Sequence, residues 1–131
     1  DVTVGKLTAS ELTACAYAAT DSSADVIVGG FRFDPADYAI SGKTTALSVT
    51  LWGRVAGVAL TGTVTVYDVT SGTPASVGTA SINSTTGALS TISITLPVSA
   101  KTYQLALKVS GGSTAADIVE VTGAARRITW S

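Results

Sequence analysis

The sequence predicts an all-β domain, an antiparallel two-sheet sandwich of about eight strands with a short N-terminal arm or helix. Three observations carry this. From about residue 46 onward, apolar and polar residues alternate with a period of two in short runs rich in Val, Ile and Thr. Clusters such as SGTP, NSTTG and SGGST break the runs where turns are needed. At 131 residues, the chain can bury roughly two-thirds of its unfolded surface in one core, so no disulfide staple is required of its single Cys15.

The N-terminal 25 residues differ from the rest. Thr8-Ala9-Ser10-Glu11 has capping-box spacing, and Leu12, Cys15, Ala16 and Ala19 fall on one helical face, which predicts a short amphipathic helix. The same stretch also suits an extended arm laid on a neighbouring subunit. DSSAD at 21–25 reads as the joint, giving an arm over 1–25 and a sandwich over 26–131. Strands are predicted at 26–33, 46–55, 62–69, 77–82, 91–96, 102–109, 117–122 and 124–130, with a jelly roll as first choice of topology and an immunoglobulin-like arrangement as the alternative.

Because successive side chains in a strand point to opposite faces, each run divides into a core set and an outer set. Leu47, Val49, Leu51 and Val55 form one core set, opposite Ser48, Thr50, Trp52 and Arg54. Val64 and Val66 oppose Thr63, Thr65 and Tyr67; Ile92, Ile94 and Leu96 oppose Thr91, Ser93 and Thr95. Tyr103, Leu105, Leu107 and Val109 oppose Thr102, Gln104, Ala106 and Lys108. The outer faces are thus mostly threonine and serine, which suit a pleated surface and can line a weakly polar contact without burying charge.

Charge is sparse, with 8 Lys+Arg against 9 Asp+Glu, 13% of the chain in all, where an ordinary domain has about 25%. A charge-poor, Thr-rich exterior fits a surface covered by neighbours, or a secreted domain. With no basic stripe, nucleic acid is not an expected partner, and no apolar run approaches the roughly 20 residues that cross a bilayer as a helix. The start at Asp1 without Met is compatible with a removed leader or preceding domain, and with a partial sequence.

The chain contains no histidine, which removes the commonest general base and metal ligand and every Ser-His-Asp or Cys-His arrangement. Cys15, in an Ala-rich stretch with no basic neighbour, reads as a small buried apolar residue. In FRFDPADYAISGKTT, Asp34 and Asp37 flank Pro35; a turn is the expected reading, with Asp34 accepting from backbone N–H groups just beyond it. Calcium, which takes six to eight oxygens, is the lesser reading of this pair. No cofactor is implied. Trp52 and Tyr67, on outer faces of strands predicted to be neighbours, could together form a sugar-stacking platform or be covered by the arm or another subunit. Arg126 and Arg127 are expected to lean one inward and one outward, pairing with Glu120 or Asp117. The candidates for ligand or interface contacts are Trp52, Arg54, Tyr67, Leu12 and Tyr17.

The order FRFDPADYAISGKTT, LSVTLWGRV, TVTVYDVTSG, KTYQLALKVSGG and RRITW over residues 26–131 resembles β-sandwich domains in structural proteins of tailed bacteriophages, such as head-decoration, fibre or tail modules. The resemblance implies a non-enzymatic, multimeric component of a virion or other extracellular assembly, self-associating and joined to other virion proteins by its arm and strand edges. A carbohydrate-binding module with surface glycans as ligand is the alternative.

Overall fold

The computed structural model describes residues 10–131 of the chain. Among these residues nine strands follow one another: β1 (Ser10–Cys15), β2 (Ala18–Thr20), β3 (Val26–Phe33), β4 (Thr45–Val55), β5 (Thr61–Asp68), β6 (Ala75–Ile82), β7 (Ala88–Ile94), β8 (Lys101–Ser110) and β9 (Val119–Trp130). They form two antiparallel sheets. The first runs β1-β9-β4-β7, with β2 continuing alongside β9, and the second runs β3-β8-β5-β6. Every connection from β2 onward crosses between the sheets except the β5–β6 hairpin. With β1 and β2 counted as one interrupted strand, this is the eight-strand order of a jelly roll, and the immunoglobulin-like alternative, with its A-B and E-D neighbours in one sheet, does not apply.

Alternation decides the core. Leu47, Val49, Leu51 and Val55 of β4 face Val64 and Val66 of β5 and Leu105, Leu107 and Val109 of β8, all buried. Phe33 and Ile128 close the same cluster. Leu96, assigned to the core set above, lies beyond the end of β7 and is exposed.

Two elements depart from the sequence-based expectation. Residues 10–20 form strands in place of the predicted helix, while Thr8 and Ala9 of the capping box lie outside the described residues. A short Ala/Thr-rich helix is marginal on its own, whereas β9 offers a row of unpaired backbone groups that a strand can satisfy. The register skips Ala14 between Thr13 and Cys15, a bulge that lets both Ala14 and Cys15 be buried. The predicted strands 117–122 and 124–130 are one strand, β9, because Gly123 marks a bulge against Trp52 and Gly53 rather than a break. The β1 and β3 backbones also meet closely: a Cβ on Gly29 would run into the Ala14 carbonyl.

Candidate functional site

The outer face of the first sheet gathers three of the five predicted contact residues. Trp52 sits on β4, 45% exposed, with Gly123 of β9 on one side and Leu89 of β7 on the other. Arg54, two residues on, points to the same face and pairs with Glu120, its cross-strand partner on β9. Glu120 also accepts from the Tyr17 hydroxyl at 2.6 Å, so the link between β1 and β2 is tied down over β9. This bond and the Arg54 guanidinium hold the Glu120 carboxyl below its ordinary value, while the same bond raises Tyr17 above its own.

The indole of Trp52 is seated on a turn. Gly87, at φ +103° between β6 and β7, lies so close that an added Cβ would fall 2.7 Å from the indole Nε1. Only glycine supplies both that backbone angle and that space. Beside the ring runs a groove of about 450 Å³, floored by Thr50, Gly123 and Ala125, with Trp52 and Leu89 along one wall and Glu11 and Thr13 of β1 along the other. Sequence reasoning singled out Trp52 but missed Leu89, Thr13 and Gly87, since only the register places them around it.

Tyr67 does not share this face. It lies on β5 in the second sheet, and its hydroxyl donates to Asp25 at 2.6 Å, which raises the phenol's pKa. The predicted joint platform of Trp52 and Tyr67 is therefore corrected: β4 and β5 are consecutive in sequence, but the chain crosses between sheets after Val55. Leu12 is 49% exposed on the edge strand β1.

Asp34 and Asp37 belong to a 3₁₀ turn at Pro35–Asp37. The Ala36 N–H donates to Asp34 Oδ1 at 3.0 Å, and Asp37 and Tyr38 N–H groups donate to the carbonyls of Asp34 and Pro35. Proline at the first position presets this geometry. Among the described residues no group of three or more Cys, Asp or Glu side chains is placed to hold a metal ion.

The paired arginines lean one inward and one outward as expected, but neither pairs with Glu120 or Asp117. Arg127 is outward and pairs with Glu11 at 3.7 Å, because β1 lies next to β9, and Glu120 is already engaged by Arg54. Asp117 instead ties its own loop, accepting from the Ser113 and Thr114 N–H groups, which lowers its pKa. Arg126 points inward, 4% exposed, with its guanidinium carbon 5.0 Å from the centre of the Tyr38 ring. The Cys15 thiol is buried, donates to the Ala16 carbonyl, and is raised in pKa by that burial.

These features define a jelly-roll sandwich domain with the Trp52 groove on the outer face of its first sheet. No protein family matches the chain, and no curated protein does. Twelve solved chains share its fold. One comes from the structure of infectious bursal disease virus, Gt strain, with a TM-score of 0.54 and 15% identity over 92% of this chain and 32% of that one. Another, from the Gx strain of the same virus, has a TM-score of 0.53 and 13% identity over 92% of this chain and 31% of that one. The chain thus spans about a third of the length of these relatives, and at such identity the likeness shows a common fold.

Proposed function

We propose that the protein is a non-enzymatic structural subunit of a virion, of the decoration, fibre or tail type found in tailed bacteriophages, which self-associates along the side of the sandwich where β1 and β3 run. The observation that carries this reading is the exposed apolar character of that side. Leu12 of β1 and Ile27 of β3 are 49% and 53% exposed, and Val26, next to Ile27, is exposed as well. Among the described residues both strands are sheet edges, the feature through which strands pair with another chain. The shared fold with chains from a virus structure and the charge-poor composition support the same reading. Other virion proteins are the natural further partners, and the virion or the extracellular space the natural location.

The test is solution mass by light scattering for the intact chain and for a Leu12→Asp/Ile27→Asp double variant. A trimer or larger particle that falls to monomer in the variant, with unchanged circular dichroism, is the expected result. A wild-type monomer at about 100 μM would overturn the reading, since that concentration should populate any association of structural strength.

A further inference from the structure

We propose that the groove beside Trp52 is a binding site for a neutral saccharide, with a pyranose ring stacked on the indole. The site lies on the outer face of the first sheet, with Glu11 and Thr13 of β1 as its far wall, and its test reads sugar binding, separately from the solution mass that tests the assembly reading.

A pyranose presents two chemistries at once: an apolar face of C–H groups and a rim of hydroxyls that both donate and accept. The groove offers the complement of each. Trp52 supplies a broad aromatic surface, already oriented by Gly87, so little side-chain entropy remains to be lost when a ring settles on it. The floor beside it is Gly123 and Ala125, small enough for a ring to approach the sheet closely. Thr13 and Thr50 stand on either side of Ala125 in one cross-strand row, two strand spacings or about 10 Å apart, and their hydroxyls can exchange hydrogen bonds with a sugar rim. At the far wall Glu11 adds an acceptor.

Charge argues for a neutral ligand. Among the described residues, the acid at this wall, Glu11, is matched by Arg127 at 3.7 Å, a balance that favours a neutral ligand over a phosphate or an acidic sugar. A volume of about 450 Å³ lies within the range of small-molecule sites. Among the described residues, the exposed large apolar side chains that line the groove are Trp52 and Leu89, amid threonine, glycine and alanine.

The experiment uses the full chain and a panel of neutral gluco-, xylo-, galacto- and N-acetylhexosamine oligosaccharides, with binding measured by calorimetry up to about 10 mM ligand. Trp52→Ala and Thr50→Val probe the groove, and Tyr67→Ala on the opposite sheet is the control. The expected result is binding of at least one panel member, weakened about ten-fold or more by Trp52→Ala and about three-fold or more by Thr50→Val, with Tyr67→Ala unchanged. Thr50→Val keeps the test open should Trp52→Ala fold poorly. No binding across the panel, or equal loss in Tyr67→Ala, would overturn the proposal. So would a change in solution mass in Trp52→Ala, which would mark this face as a contact between subunits.

Discussion

Replacing Arg126 with methionine should make the protein more stable, although it removes a charged side chain from the middle of β9. Arg126 occupies an inward position between Ala124 and Ile128 and is 4% exposed. Among the described residues it has no ion-pair partner, and its buried Nε has no hydrogen-bond partner. A guanidinium cannot shed its proton, so burial costs it several kcal/mol of hydration even after relaxation, and an unsatisfied N–H adds about 1–3 kcal/mol. Against this stands the Tyr38 ring, a cation–π contact worth about 2 kcal/mol when desolvated; that ring is itself stacked on Phe33 at 5.4 Å. Methionine keeps most of the stem's packing and brings no donor. The balance predicts a gain of about 1–3 kcal/mol for Arg126→Met, or about 3–10 °C in Tm for a domain of this size. Thermal and urea unfolding of the full chain would measure it. A double-mutant cycle with Tyr38→Leu should recover a coupling of about 1–2 kcal/mol between the two side chains. A clear fall in Tm for Arg126→Met would refute the reasoning, because it would mean that the contact with Tyr38 outweighs the cost of burying the guanidinium.

Leu105→Ala, at a site 1% exposed between the sheets, should lose about 3–4 kcal/mol and lower Tm by roughly 10 °C or more. Glu120 is held below its ordinary value of 4.5 in the folded state, so the stability it contributes is fully present above that pH and is lost as pH falls through the depressed value. Glu120→Gln should therefore lower the urea midpoint at about pH 7, with the difference from wild type narrowing as pH falls below the carboxyl's ordinary range; a difference that stays constant with falling pH would remove the carboxylate from the account. Cys15 should react with a thiol reagent far more slowly in the native protein than in denaturant, since its thiol is buried and raised in pKa. Rapid stoichiometric labelling of the native chain would show that β1 detaches readily.

The core was legible wherever a strand kept strict alternation. Leu47, Val49, Leu51 and Val55 could be assigned to the interior because in β4 every second residue is apolar and the set between them is polar, small or aromatic. The turn at Asp34 was legible for a similar local reason, since Asp-Pro dictates a capped, bent backbone whatever surrounds it. Residues 10–20 misled because helical spacing and a capping box are also local, and the unpaired row of β9 that outweighs them lies more than a hundred residues away. Gly123 misled because glycine marks both turns and bulges, and only the partner strand tells them apart.

By itself, the sequence determined an all-β sandwich, the interior and exterior faces of its main strands, and a chain without histidine chemistry. Tertiary structure alone decided which strands are neighbours, and through that what each outer residue meets. It separated Tyr67 from Trp52, set Leu89, Thr13 and Gly87 around the indole, and joined Arg54 to Glu120 across 66 residues of chain. The reason is that alternation is a property of one strand, readable from its own residues, whereas sheet membership and register arise from the joint packing of strands far apart in the chain.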